Sequence, residues 1–266
     1  MPDATLLKLE RKEEPADEPG FMERMRPEMA AGGYAHDSSE VAYYLRVNAL
    51  LTLSMTMVDL GAGRGTQLLG PKSFVGELMK FQGKVEKVIG LDVDSAVADH
   101  PYLDEYHVFD PAKPYPLADG SVDLIAADWV LEHIADPAMA AREIHRVLKP
   151  GGWFCARTPN RFGYVALAAS LVPNSLHNAV LKRVWPEREA EDVFPTVYAL
   201  NTRGAISRHF GPDRWENCSY TINSTPKYHA NRTLLFSLVG AYQSVAPPPL
   251  RTDLHVFLRK RRQVAL

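Results

Sequence analysis

Between residues 56 and 159, short apolar runs alternate with helical stretches. Five runs have the composition and length of buried strands: TMVDL, KVIGLD, YHVF, VDLIAA and WFCART. Helical patterns separate them, namely FVGELMKF, the short SAVADH and a longer stretch from Pro137 to Leu148. Strands that alternate with helices form parallel sheets covered by helices on both faces. The pattern therefore predicts an α/β fold, doubly wound around a mostly parallel sheet.

The alternation stops after Pro159 and returns near residue 202. A helix over TRGAISRHF, a strand over WENCSYTI, a helix near RTLLFSLVGAYQSV and a strand over LHVFLRK follow, which raises the expected sheet to seven strands. Residues 160–200 therefore form an insertion after the fifth strand. Residues 1–33 carry eight acids and five bases interrupted by Pro and Gly, a composition typical of a mobile leader. We expect residues 34–266 to form a single domain.

Charge and composition exclude several classes of function. The net charge of -2 and the pI near 6.5 give no drive toward nucleic acid. Two cysteines cannot build a disulfide framework, and the nine histidines include no H-x-x-x-H pair, so no metal site is expected. The N-terminus has no apolar signal region, and no run of about 18 apolar residues could span a membrane. These features predict a cytoplasmic protein.

The segment VDLGAGRG at residues 58–65 directly follows the first strand. Its glycines allow a sharp turn and close approach of the backbone to a ligand at the carboxyl edge of the sheet. Asp92 ends the next strand, where a carboxylate can accept both hydroxyls of a ribose. Dinucleotide loops read G-x-G-x-x-G, whereas this one reads G-x-G-x-G with Asp59 beside it. A carboxylate there suits a cationic, amino-acid-bearing ligand, so the loop favours S-adenosylmethionine over NAD.

Residues 56–160 resemble the class I S-adenosylmethionine-dependent methyltransferases, in particular the ubiquinone/menaquinone-biosynthesis-like (methyltransferase type 11) branch. Four ordered segments carry the resemblance: VDLGAGRG, IGLDVD, FDPAKPYPLADGSVDLIAADWVLEHIADP and EIHRVLKPGGWFCARTPN. The resemblance implies a Rossmann-like fold, S-adenosyl-L-methionine as the cofactor and methyl transfer as the activity. The spacing departs from the family, because 26 residues separate Gly65 from Asp92, more than is common.

The resemblance also implies a cofactor site. Asp59, Gly61, Ala62 and Gly63 would flank the methionine portion, Asp92 would hold the ribose, and Val93 would pack on adenine. Asp110 corresponds to the acid that accepts a hydrogen bond from the adenine amino group. Asp128 and Trp129 correspond to residues that leave the fourth strand beside the sulfonium and the acceptor.

Methyl transfer to a hydroxyl requires a base to take its proton, and the sequence offers His133 and Asp128 as candidates. Each has a structural alternative: His133 packing against the loop, and Asp128 capping the following helix. Asn160 could orient an acceptor or form a turn.

The insertion bears on the acceptor. Its apolar residues form either a lid over the acceptor or part of the core, and the set is Tyr164, Leu167, Leu171, His177, Leu181 and Trp185. A third possibility is contact with the inner face of the membrane, aided by the basic run at 259–262. We expect a small-molecule, sugar- or lipid-linked acceptor methylated at oxygen. C- or N-methylation of a quinone-like or other metabolite and a non-catalytic cofactor-binding module are the alternatives, and the oligomeric state stays open.

Overall fold

The computed structural model describes residues 19–69, 73–164, 166, 195–226 and 229–262. Most of the predicted leader and most of the insertion, including Leu167, Leu171, His177, Leu181 and Trp185, lie outside the described residues.

The described elements follow the alternating order that the sequence predicts. The helices are α1 (Phe21–Met25), α2 (Ser39–Leu50), α3 (Phe74–Met79), α4 (Pro137–Val147), α5 (Arg203–His209) and α6 (Thr233–Val245). The strands are β1 (Thr56–Leu60), β2 (Lys87–Asp92), β3 (Glu105–Val108), β4 (Val122–Asp128), β5 (Leu148–Pro159), β6 (Trp215–Asn217), β7 (Tyr220–Ile222) and β8 (Asp253–Lys260). Single 3-10 turns occupy Pro27–Ala30, Thr66–Leu68, Ser95–Asp99, Leu131–His133 and Pro248–Leu250.

The strand order β3-β2-β1-β4-β5-β8-β6 confirms the doubly wound α/β fold. Strands β1 to β5 pair in parallel, and β8 runs antiparallel to β5, β6 and β7. The chain leaves β1 toward β2 on one side and returns to β4 on the other. Such a switch point opens a crevice at the carboxyl ends of the strands, where ligands bind in sheets of this kind.

The sheet has eight strands rather than seven, because WENCSYTI does not form one strand. Strand β6 pairs with Leu258–Lys260, whereas β7 pairs with Asp253–His255. Between them the Ser219 amide donates to Asn217 Oδ1 at 2.9 Å, and Ser219 Oγ accepts from the Phe257 amide at 3.2 Å. This local turn interrupts the run, so that its two halves pair with β8 separately.

Two apolar layers cover the sheet. One face carries α4 and α5, whose Ile144, Val147 and Ile206 pack against strand residues such as Ile125. The other face carries α2 and α3, where Tyr43 and its neighbours pack against Met57 and Leu124. Ser38 begins α2 by accepting from the Val41 amide, as an N-cap serine does. Helices on both faces leave the carboxyl edge of the sheet to form the site.

Residues 19–33, which the sequence assigns to the leader, are helical and contact the rest of the chain. Phe21 of α1 stacks on His229 with ring centroids 4.5 Å apart, and Arg26 forms a 2.7 Å ion pair with Asp37. The Arg26 guanidinium also lies over the Phe236 ring of α6. These contacts join the second half of the leader to α6, to the segment before it and to the segment before α2.

Candidate functional site

The glycine loop follows β1 at the switch point. Gly61, Gly63 and Gly65 all have positive φ, a region that side chains rarely adopt. A Cβ on Gly61 would lie 2.3 Å from Val130 Cγ2, whereas one on Gly63 would meet nothing within 4 Å. Gly61 therefore allows close packing against the chain that leaves β4, and Gly63 borders open space above the loop. A 3-10 turn, Thr66–Leu68, follows the loop, and the six-residue α3 begins only at Phe74.

Asp92, at the end of β2, is tied to this loop. Its Oδ2 accepts from the Gly63 amide and its Oδ1 from the Asp94 amide, both at 2.8 Å. The carboxylate is buried, and each oxygen retains a second lone pair for a ligand. Asp92 therefore fixes the loop and the strand end at once, which places a hydrogen-bond acceptor at the crevice.

Asp59 adds a second carboxylate to the crevice. It lies on β1 and is partly exposed. Burial, together with the negative charges of Asp128 and Asp92, raises the pKa of Asp59 to about 7. Three carboxylates close enough to repel one another favour a cationic ligand, because a positive charge relieves that repulsion.

Asp128 ends β4 and is fully engaged by protein partners. Its two oxygens accept from Arg157 Nε and Nη2 at 2.6 and 2.7 Å, and the Tyr44 hydroxyl donates to Oδ2 at 2.9 Å. Arg157 is buried on β5, and its Nη2 also donates to Glu40 at 3.0 Å. A two-pronged contact with a buried arginine fixes the orientation of the carboxylate.

The chain turns sharply as it leaves β4. Trp129 has φ +57°, its amide donates to the Arg157 carbonyl at 2.9 Å, and its side chain is 38% exposed beneath the Arg157 guanidinium. His133 ends the following 3-10 turn, and its Nδ1 lies 3.0 Å from the Pro195 carbonyl oxygen. Since a carbonyl oxygen only accepts, Nδ1 carries the hydrogen and the lone pair of the neutral ring is on Nε2.

The remaining predicted residues lie in the glycine loop and directly after β2 and β3. Val93 follows Asp92 and exposes 43% of its apolar side chain, and Ala62 is buried within the loop. Asp110 lies after β3 with a half-exposed carboxylate that accepts from the Ala112 amide and pairs with Lys113. The structure thus brings Asp59, the loop, Asp92 and Asp128 together, with Asp110 beyond the end of β3.

Asn160 has a structural arrangement. Its Nδ2 donates to the carbonyls of Pro249 and Arg251 at 2.9 and 2.7 Å, and its Oδ1 accepts from the Phe162 amide at 3.3 Å. It therefore joins the end of β5 to the turn before β8. A cavity of about 270 Å³ lies beside it, lined also by Phe162 and Thr202.

Neither Arg157 nor Glu132 is among the site residues that the sequence predicts. Arg157 is the direct register partner of Asp128 across β4 and β5. A basic residue in the otherwise apolar run WFCART was the available signal. Glu132 is only 3% exposed, and burial raises its pKa to about 7. The sequence does not predict its burial, because a glutamate in a turn usually faces solvent.

Part of the chain is similar in sequence to known proteins. Residues 58–156 match the family model described as a methyltransferase domain. A Mycolicibacterium smegmatis protein, named a probable S-adenosylmethionine-dependent methyltransferase, is 31% identical over 147 residues, 53% of this chain and 52% of that protein. A 37.1 kDa protein in a Streptomyces fradiae transposon is 40% identical over 101 residues, 36% of this chain and 27% of that protein. The chain thus spans about half and about a quarter of these curated relatives.

Solved structures share the fold. The complex between the Haloferax volcanii Trm112 methyltransferase activator and a methyltransferase aligns with a TM-score of 0.52 and 17% identity, over 85% of this chain and 92% of that one. An S-adenosylmethionine-dependent methyltransferase structure from Listeria monocytogenes aligns with a TM-score of 0.50 and 12% identity, over 84% of this chain and 98% of that one. At these identities the likeness concerns the fold.

No helix in the described part of the chain is long and apolar enough to cross a membrane. Nor do three or more His, Cys, Asp or Glu side chains gather there in a group that could hold a metal ion.

Proposed function

We propose that this chain, a class I S-adenosylmethionine-dependent methyltransferase by its domain at residues 58–156, transfers a methyl group to a small-molecule, sugar- or lipid-linked acceptor. The observation that carries the proposal is the switch-point crevice, where the glycine loop meets Asp59, Asp92 and Asp128. Carboxylates around a glycine turn suit a donor that bears a sulfonium and an ammonium group.

The residues present fit the cofactor at each of its parts. Asp92 would accept from the ribose hydroxyls with the lone pairs that Gly63 and Asp94 leave available. Asp59, Gly61, Ala62 and Gly63 would surround the methionine portion. Val93, whose side chain is exposed next to Asp92, would pack on adenine, and Asp110 would accept from the adenine amino group.

When bound, the cofactor supplies an electrophilic methyl group on a sulfonium. The chain's own task is then to align the acceptor and exclude water. We assign the base role to His133, because the Pro195 carbonyl holds its ring in the tautomer whose Nε2 can take a proton. Asp128 was a second candidate base. Its contacts with Arg157 and Tyr44 support a positioning role instead, at the strand end beside Trp129.

This base role goes with oxygen as the methylated atom, since a hydroxyl must lose its proton as it attacks. C- or N-methylation of a quinone-like or other metabolite is the alternative, in which His133 would matter less when the nucleophile is already neutral and basic. Residues 160–200 are proposed as an acceptor-side insertion within one domain. Of these, residues 165 and 167–194 lie outside the described part of the chain.

Contact with an anionic membrane surface is a further proposal about partners and location. It would place a cytoplasmic protein at the inner membrane face through the basic run at 259–262. Lys260 already donates to two carbonyls of its own chain, and Arg261 donates to the Pro212 carbonyl. Sedimentation with phosphatidylglycerol vesicles, compared with phosphatidylcholine vesicles, would test this contact.

The test of the proposed function is a methyl-transfer assay with radiolabelled S-adenosylmethionine. Panels of neutral hydroxyl, sugar and lipid-linked acceptors would be compared with amine and quinone-like acceptors. We expect labelled product with a hydroxyl acceptor and its loss in His133→Ala at unchanged cofactor affinity. Labelling confined to amines or carbon centres would favour the alternative. Cofactor binding without transfer to any acceptor would favour a non-catalytic module.

A further inference from the structure

A buried polar cluster lies behind the strand end that carries Asp128. The Thr158 hydroxyl on β5 donates to Glu132 Oε2 at 2.8 Å and accepts from Asn201 Nδ2 at 2.7 Å. All three side chains are buried, with Thr158 and Asn201 fully so. These residues come from three separate parts of the chain, so the cluster joins the turn Leu131–His133 to β5 and to the segment 195–201.

The orientation of the Asn201 amide is fixed. Its Nδ2 also donates to the Pro159 carbonyl at 2.9 Å, and a carbonyl cannot bond to the amide oxygen, so the group cannot be reversed. Asn201 Oδ1 is consequently left as the one buried side-chain polar atom without a hydrogen-bond partner among the described residues. A buried acceptor without a donor is costly, and such groups in a folded chain call for a reason other than stability.

The segment 195–201 is docked at both ends. Asn201 anchors one end, and in the middle the amides of Val197 and Tyr198 donate to the Glu132 carbonyl at 2.7 and 3.1 Å. At the other end the Pro195 carbonyl accepts from His133 Nδ1. Tyr198 holds φ +55°, a strained conformation for an aromatic residue that persists only where its surroundings enforce it.

We propose that Glu132, Thr158 and Asn201 are positioning residues that fix the segment 195–201 and thereby hold His133 in its proton-accepting tautomer. The proposal rests on the proposed function for the role of His133. Without the cluster the Pro195 carbonyl is free to move away, and the His133 ring can then rotate or exchange tautomers.

The charges that act on Glu132 come from two neighbouring strands. Asp128 at the end of β4 raises its pKa and Arg157 on β5 lowers it, while burial is the largest cause and raises it to about 7. His133 is adjacent on the same turn. Glu132 is therefore protonated below about pH 7. Ionisation above that value places a poorly solvated negative charge near Asp128, and this cost outweighs the stronger hydrogen bond that Thr158 makes to the charged form, so the docked arrangement loses stability.

The test uses the full chain without an acceptor, in Thr158→Val, Thr158→Ser and the control Thr221→Val. Thr221 on β7 is a buried threonine whose hydroxyl donates to the Pro248 carbonyl, a bond that involves none of the three cluster residues. Amide exchange at Val197 and Tyr198 and the ring nitrogen shifts of His133 are measured by NMR. We expect Thr158→Val to raise the exchange rates of the Val197 and Tyr198 amides at least tenfold relative to that of the Val58 amide. The His133 ring nitrogen shifts should then report a mixture of the two tautomers. Thr158→Ser should restore both readouts.

Glu132→Gln provides a second test in case Thr158→Val does not fold. In the wild type, protection of the Val197 and Tyr198 amides should fall as pH rises through about 7, after correction for intrinsic exchange. Glu132→Gln, which cannot ionise, should remove that dependence. Unchanged exchange and an unchanged His133 tautomer in Thr158→Val, matching Thr221→Val, would overturn the proposal. These readouts need no methyl transfer, so failure of the proposed function would be seen separately in the acceptor assay.

Discussion

Asp128 and Arg157 are register partners at the carboxyl ends of β4 and β5, joined by two hydrogen bonds of 2.6 and 2.7 Å. The Arg157 guanidinium lies over the Trp129 ring, and the Tyr44 hydroxyl donates a further hydrogen bond to Asp128. A buried two-pronged ion pair of this kind fixes geometry, whereas a free carboxylate would serve as a base. The contacts between Asp128 and Arg157 therefore hold the end of β4 in one geometry.

Breaking this pair from one side should be strongly destabilising. In Arg157→Met the partly buried Asp128 carboxylate loses its ionic partner and keeps only the Tyr44 hydroxyl, and we expect the free energy of unfolding to fall by about 3 kcal/mol. Chemical denaturation measures this, with Arg203→Met on the exposed surface of α5 as the control. The double variant Asp128→Asn/Arg157→Met should recover part of the loss. Equal effects of Arg157→Met and the control would contradict the account.

Alanine substitutions at two glycines with similar φ distinguish the cost of backbone strain from the cost of a steric clash. Gly61 and Gly83 have φ of +73° and +83°, but only a Cβ on Gly61 meets a neighbour, Val130 Cγ2 at 2.3 Å. Gly61→Ala should therefore be less stable than Gly83→Ala by roughly 1–3 kcal/mol, the usual cost of overpacking. Thermal unfolding of both variants gives the difference, and adding Val130→Ala should reduce it. If the Gly61→Ala variant were no less stable than the Gly83→Ala variant, the close packing of Gly61 against Val130 would be refuted.

Cofactor binding should release a proton near neutral pH. Asp59 has a pKa of about 7 in the free chain, so much of it is protonated there. A bound cation favours the ionised form and lowers that pKa, so affinity should rise with pH and level off above about 7. The number of protons released follows from the binding heats that calorimetry measures in buffers of different ionisation enthalpy. Asp59→Asn should abolish the release. Identical heats in all buffers would rule out this linkage.

Replacing His133 should affect chemistry and leave cofactor binding intact. If its Nε2 takes the acceptor's proton, His133→Ala should lower kcat by about 10²–10⁴-fold at an unchanged Kd for the cofactor. Steady-state kinetics with the acceptor that the transfer assay identifies would measure this. His209→Ala, on the far helix α5, is the control. A His133→Ala variant with wild-type kcat would remove the base role.

The sequence predicts the parts that depend on local pattern and misses those that depend on register. Alternating apolar runs were sufficient for the parallel sheet, and the glycine loop with Asp92 followed from motif spacing. The partners of Asp128 were not predictable, because nothing in the spacing says that Arg157 lies directly opposite. The run WENCSYTI was assigned to one strand because its composition is continuous. In the structure this run forms two strands, β6 and β7, because its two halves pair with different parts of β8.

Titration calorimetry with S-adenosylmethionine and, separately, with NADH tests the central claim most directly. Wild type, Asp92→Ala and the exposed control Asp213→Ala would be compared. We expect micromolar binding of S-adenosylmethionine only, weakened by at least tenfold, about 1.4 kcal/mol, in Asp92→Ala and unchanged in Asp213→Ala. NADH binding, or S-adenosylmethionine binding indifferent to Asp92, would contradict the account.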